Sequence, residues 1–130
     1  MADLTLAQRF GTDAVIIPDE SGTQLIINLD NLSDTANGGD FTNGLGLDTS
    51  GITAENADEY ASKILWALIG LSQQNQAENN NDETVGVYIT NEGRRDVARN
   101  RVAQRGFRLV ATAYKNDTEG LNLDPDEVGA

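Results

Sequence analysis

The chain has no cysteine and no histidine, a single tryptophan, a single methionine and two prolines in 130 residues. Without cysteine there is no disulfide and no thiol chemistry. With neither residue present, the usual zinc ligands and the Ser-His and Cys-His nucleophile systems are excluded. Acid–base work would fall mainly to carboxylates, Tyr60, Tyr88, Tyr114 and two lysines. With 21 carboxylate side chains in the sequence, finding two close together says nothing about a site. Gly44-Leu45-Gly46 lacks the following helix that a phosphate-cradling loop needs. The expectation is a protein that is not an enzyme and that has no catalytic residue, no cofactor and no metal.

Long hydrophobic runs are also missing. The longest strongly apolar stretch, Ile64 to Leu71, is far short of the roughly 20 residues of a membrane helix. The amino terminus, Met1-Ala2-Asp3, lacks the basic and apolar regions of a signal peptide. These features lead us to expect a soluble protein with no membrane partner. Aromatics are few, so a core must come from Leu, Ile, Val and Ala, and 130 residues suit one modest domain.

Positive charge is scarce, with nine cations and a formal net charge of -12. Six of the nine lie between Arg94 and Arg108, and with Asp96 they give that segment +5, leaving -17 on the other 115 residues. Such segregation favours docking onto an acidic surface. All six are Arg, the side chain suited to bidentate carboxylate contacts. Three readings compete: nucleic-acid binding, a solvated face, and a protein interface. An acidic chain with no aromatic residues alternating with the arginines argues against nucleic acid. The interface reading is therefore preferred, with Arg94, Arg95, Arg99, Arg101 and Arg105 as its charged members.

Along the chain, Leu4 to Phe10 reads as a short helix with Asp3 as N-cap and Gly11 as its stop. Thr12–Pro18 and Thr23–Leu29 read as a hairpin turning at Asp19-Glu20-Ser21-Gly22. Asp30 to Gly51 is a polar loop carrying Phe41, Leu45 and Leu47, which are expected to pin it to its own core or to a neighbour. Thr53 opens the main helix, to Gln73, with Tyr60, Ile64, Leu68 and Leu71 as its stripe, widened by Ala57, Ala61 and Leu65. Trp66 lies off the stripe centre and is a candidate exposed contact. Gln73 to Asp82 is a polar connector. Thr84–Thr90 and Gly106–Tyr114 alternate as antiparallel strands. Between them the Arg-rich stretch fits either a short helix from Asp96 to Gly106 or a long hairpin. Asn116 to Ala130 is acidic, with five carboxylates and no cation. Asp124, Asp126 and Glu127 are its candidate contacts for the arginines of a neighbouring subunit, or in part of the same chain. The tail's acidic spacing matches no EF-hand loop, and Asn37-Gly38-Gly39-Asp40 is a single copy with no tandem period.

Leu4-Thr5-Leu6-Ala7-Gln8-Arg9-Phe10-Gly11 resembles the opening of small virion-associated structural proteins of cyanobacterial tailed phages. The Phe107–Tyr114 segment and Leu123-Asp124-Pro125-Asp126-Glu127-Val128 resemble their ends. The resemblance covers the two ends of the chain and not the middle, and no functional residue is carried over from it. It implies a particle protein assembled in the host cytoplasm and resident in the virion.

The expected fold is α+β: residues 1–115 form one domain in which both hairpins build a small antiparallel sheet with the amphipathic helix packed on it. Residues 116–130 form an acidic arm. The expected function is a capsid decoration or cement protein that binds major capsid subunits, or another virion protein, as a homo-oligomer. Phe41, Leu45 and Trp66 would supply its apolar contacts. A tail or baseplate component and an acidic protein-binding regulatory module are the alternatives.

Overall fold

The computed structural model describes residues 3–33, 46–116 and 125–129. The class is α+β, with one main helix and two small antiparallel sheets. The two hairpins do not join into one sheet as expected; each is a separate two-stranded ribbon. The chain divides into two compact units, Leu4–Ala77 and Glu78–Ala130 with Met1–Asp3. The division falls inside the polar connector, where the sequence has little apolar area to bury.

In the first unit, α1 (Leu6–Phe10) is capped by Thr5 and not by Asp3. The Gln8 amide donates to Thr5 Oγ1 at 3.2 Å and the Thr5 amide donates to Gln8 Oε1 at 2.9 Å, a reciprocal capping box. Gly11 ends the helix, as expected. β1 (Val15–Ile17) and β2 (Gln24–Ile26) pair antiparallel, Val15 opposite Ile26 and Ile16 opposite Leu25. Their turn is closed by the Gly22 amide donating to the Asp19 carbonyl at 3.1 Å.

A 3-10 turn, Leu29–Leu32, then brings Leu32 into the centre of the core. Thr53 does not cap the next element, whose N-cap is Asn56 with no side-chain bond; Thr53 Oγ1 accepts from the Asn56 amide and Asn56 Oδ1 accepts from the Thr53 amide at 2.7 Å, closing the turn that precedes it. That element starts as a 3-10 turn, Ala57–Tyr60, and becomes regular helix only in α2 (Ala61–Asn75).

Leu32, Leu47 and Ala67 are buried together, with Leu29, Ile64, Leu68 and Leu71 packed around them. Fully burying a leucine such as Leu32 contributes about 1.5–3 kcal/mol. The main neighbours of α2 are α1 and the 3-10 turns at Leu29–Leu32 and Ala57–Tyr60. Asn75 Nδ2 donates to the Gln8 carbonyl at 2.8 Å, tying the end of α2 to α1. Leu47 pins the loop as expected, its amide donating to the Leu32 carbonyl at 3.1 Å. Leu65 does not widen the buried stripe and is 61 % exposed.

In the second unit, β3 (Val87–Arg99) and β4 (Val102–Ala113) form one long antiparallel ribbon. The Arg-rich stretch is therefore hairpin, not helix. At the base of the ribbon, Val85 and Ile89 are buried. Asn80 Nδ2 donates to the Tyr114 hydroxyl at 2.8 Å and the Tyr88 hydroxyl donates to the Glu78 carbonyl at 3.1 Å. The end of the chain returns here: the Gly129 amide donates to the Tyr114 carbonyl at 2.9 Å, and Tyr114 in turn donates to the Gly86 carbonyl at 2.8 Å. Gly86 allows this approach. A Cβ there would lie 2.8 Å from Val128 Cγ1 and 3.0 Å from the Gly129 nitrogen.

Candidate functional site: an arginine-rich ribbon

Two backbone devices position the arginines. At the tip, Asn100 and Arg101 both have positive φ, 50° and 63°, and join Arg99 to Val102 in a two-residue turn of the type that matches strand twist. Glycine is the usual second residue of such a turn. Arg101 in the left-handed region costs about 1 kcal/mol.

Midway along β3 a bulge sets Glu92 and Gly93 against Arg108 alone, since Asn91 faces Leu109 and Arg94 faces Phe107. Gly93 sits at φ 82°, and its amide donates to Asn91 Oδ1 at 2.8 Å. The extra residue lets the base register and the tip register coexist.

Residues directly opposite one another share a face of the ribbon. One face of the distal half carries Arg94, Asp96, Ala98, Ala103, Arg105 and Phe107. On this face Arg105 Nε lies 3.5 Å from Asp96 Oδ1, an exposed ion pair that contributes about 0–1 kcal/mol. The other face carries Arg95, Val97, Arg99, Val102 and Gln104, with Arg108 at the bulge. Arg99 Nε donates to Gln104 Oε1 across the two strands. Among the described residues no carboxylate lies within ion-pair distance of Arg94, Arg95, Arg101 or Arg108. Positive charge is thus partly offset by Asp96 on the first face, and on the second a carboxylate, Glu92, stands only at the bulge opposite Arg108.

From Thr90 to Arg105 every residue is exposed. Val102 and Phe107 are 55 % and 60 % exposed, and Val97 and Val110 are exposed as well. A lone two-stranded hairpin is marginally stable in water, and this one presents apolar side chains on both faces. β3 alone spans about 40 Å. The acidic chain end is fastened at the base, at the opposite end from the Asn100–Arg101 turn.

All five arginines expected at an interface, Arg94, Arg95, Arg99, Arg101 and Arg105, are brought together on this ribbon. Trp66 is half-buried and belongs to the other unit. Asp126 is exposed on a 3-10 turn, Pro125–Glu127, near the base. Phe41, Leu45 and Asp124 lie outside the described residues, as does the side chain of Glu127. Sequence reasoning missed Val97, Val102, Phe107 and Arg108 as members of the site. Their signal was the pair Asn100-Arg101 standing between two segments of matching length. Among the described residues no cluster of acidic side chains could hold a metal ion, and no helix is long and apolar enough to cross a membrane. No protein-family model, no curated protein and no solved structure matches the chain.

Proposed function

We propose that this chain is a structural subunit of a bacteriophage particle, a capsid decoration or cement protein that fastens onto the major capsid subunits through its arginine-rich ribbon. The observation that carries the reading is the distal ribbon itself, exposed on both faces and tipped by an arginine in a conformation that glycine would adopt without strain. Strained positions of this kind persist where function requires the side chain.

The clamp is non-covalent. The guanidinium groups of Arg95, Arg99, Arg101 and Arg108 meet carboxylates on the partner, and Val97 and Val102 supply apolar contact area between them. Arginine is enriched at such surfaces. The -17 carried outside the Arg94–Arg108 segment turns the rest of the molecule away from the acidic partner, so the charges fix orientation more than affinity. The resemblance of the chain's two ends to virion-associated proteins of cyanobacterial tailed phages supports a particle as the setting.

The test is co-sedimentation of the purified chain with particles that lack it, at increasing ionic strength. The wild-type chain is expected to bind, more weakly as salt rises. Replacing Arg95, Arg99, Arg101 and Arg108 by Ser should reduce binding at least about tenfold, the loss of only 1.4 kcal/mol over four contacts. Undiminished binding by that variant would overturn the reading. Retention on duplex DNA in place of particles would replace it, since a two-stranded ribbon also fits the major groove.

A further inference from the structure

We infer that the β1–β2 hairpin is a second docking surface, and that its occupant is the distal ribbon of another copy of this chain. This rests on the reading of the ribbon as a docking element, and adds what one of its partners is.

The hairpin pairs Val15, Ile16 and Ile17 with Ile26, Leu25 and Gln24. All five aliphatic side chains are 42–54 % exposed, on both faces, although each strand has only three residues. A solvated hairpin of this size ordinarily alternates apolar and polar residues. Five contiguous exposed aliphatics instead mark an interaction surface. Its surroundings have one sign of charge: from Thr12 to Asp30 there are four carboxylates, Asp13, Asp19, Glu20 and Asp30, and no cation. The surface that fits it is apolar at the centre and cationic at the rim. Within this chain the distal ribbon has that composition, with Val97 and Val102 set between Arg95, Arg99 and Arg101. The three cations outside it, Arg9, Lys63 and Lys115, are scattered singly along the sequence.

The two patches are different surfaces, so the contact between copies is head-to-tail. Such a contact closes into a ring or propagates as a chain of subunits.

A mixing experiment on the full chain tests this. One variant carries Ile16→Thr and Leu25→Thr, which keep strand propensity. The other carries Arg99→Ser and Arg101→Gly, the latter favourable in the turn. By sedimentation velocity the wild-type chain should form species larger than a monomer, and each variant alone should stay monomeric. An equal mixture should give one-to-one dimers and nothing larger, because each dimer uses the one intact patch of each partner. Failure to self-associate in the wild-type chain would overturn the inference. So would wild-type assembly by the Thr variant, or a mixture that stays monomeric. Should either double variant lose its circular dichroism signal, single Leu25→Cys and Val97→Cys chains serve in its place, on a cysteine-free background. Under mild oxidation their mixture should give crosslinked heterodimers in excess of homodimers, and a statistical mixture contradicts the pairing. Particle binding separates the two readings. If the Thr variant still binds particles, the capsid contact stands whatever becomes of the contact between copies.

Discussion

The β1–β2 hairpin and the β3–β4 ribbon are both antiparallel pairs closed by a short turn, yet they are opposite in almost every other respect. The first is three residues long on each side, almost wholly aliphatic and free of charge within its strands. The second runs 13 and 12 residues, carries five arginines on its strands and a sixth in its turn, and contains a bulge. Both hairpins expose apolar side chains among the described residues. A short apolar hairpin cannot hold itself together by cross-strand pairs alone, so it stays attached to a unit with a core around Leu32. A long charged ribbon can extend into solvent because its turn and bulge set the register. The lesson is that exposure here follows from how the chain is divided: the buried side chains sit at the root of each hairpin, and the surfaces fit for partners lie beyond it.

Breaking the root should have the largest effect. Leu32 is fully buried, and Leu32→Ala is expected to cost about 2–5 kcal/mol by urea denaturation. No single substitution in the distal ribbon should approach that. Next is the root of the long ribbon. Gly86→Ala would drive a methyl group into Val128 and the Gly129 backbone, at an expected cost of about 1–3 kcal/mol. The accompanying sign should be faster hydrogen exchange at the Gly129 amide.

The tip should respond with the opposite sign. Arg101→Gly relieves the left-handed backbone and should stabilise the ribbon by about 1 kcal/mol while weakening particle binding. A variant that gains stability and keeps full binding would show that the tip arginine has no docking role. The smallest effects belong to exposed polar contacts. Asp48 accepts from the Ser50 hydroxyl at 2.7 Å and the Ser50 amide at 3.0 Å, and these bonds hold its carboxyl below the ordinary 3.8. Its contribution to stability is therefore present above that value and lost as pH falls through the lowered one. Ser50→Ala should move the carboxyl back upward in an NMR titration.

Much of the fold could be read from residues alone, and the failures have identifiable causes. The β1–β2 hairpin followed from two aliphatic runs around Asp19-Glu20-Ser21-Gly22. Thr53 reads as the helix cap, but its bonds to Asn56 close a turn before a 3-10 element, so regular helix begins only at Ala61. The cap of α1 was misread because Asp3 is an acceptable N-cap; the Thr5–Gln8 spacing of a capping box was the better signal. The distal half of β3 stays open between helix and hairpin in the sequence because of the bulge. Val87 and Ile89 share one face, and beyond Gly93 residues of the same parity, Arg95, Val97 and Arg99, lie on the other, so alternation fails in the linear sequence. The turn was hidden too, because arginine stands where glycine is usual. The arginines were legible as a cluster from charge counting, whereas their sorting onto two faces depends on the register. The exposure of Val15 to Ile17 was not legible at all, since a buried strand has the same composition.

The most direct test of the account is hydrogen exchange of the ribbon peptide spanning residues 91–108, measured in the free chain diluted until it is monomeric and again on the assembled particle. Exchange in the free chain should be fast, as expected for a marginal two-stranded hairpin exposed on both faces, and should slow markedly on assembly. Equal exchange rates in the two states would mean that nothing covers the ribbon, and would contradict its role as the docking element.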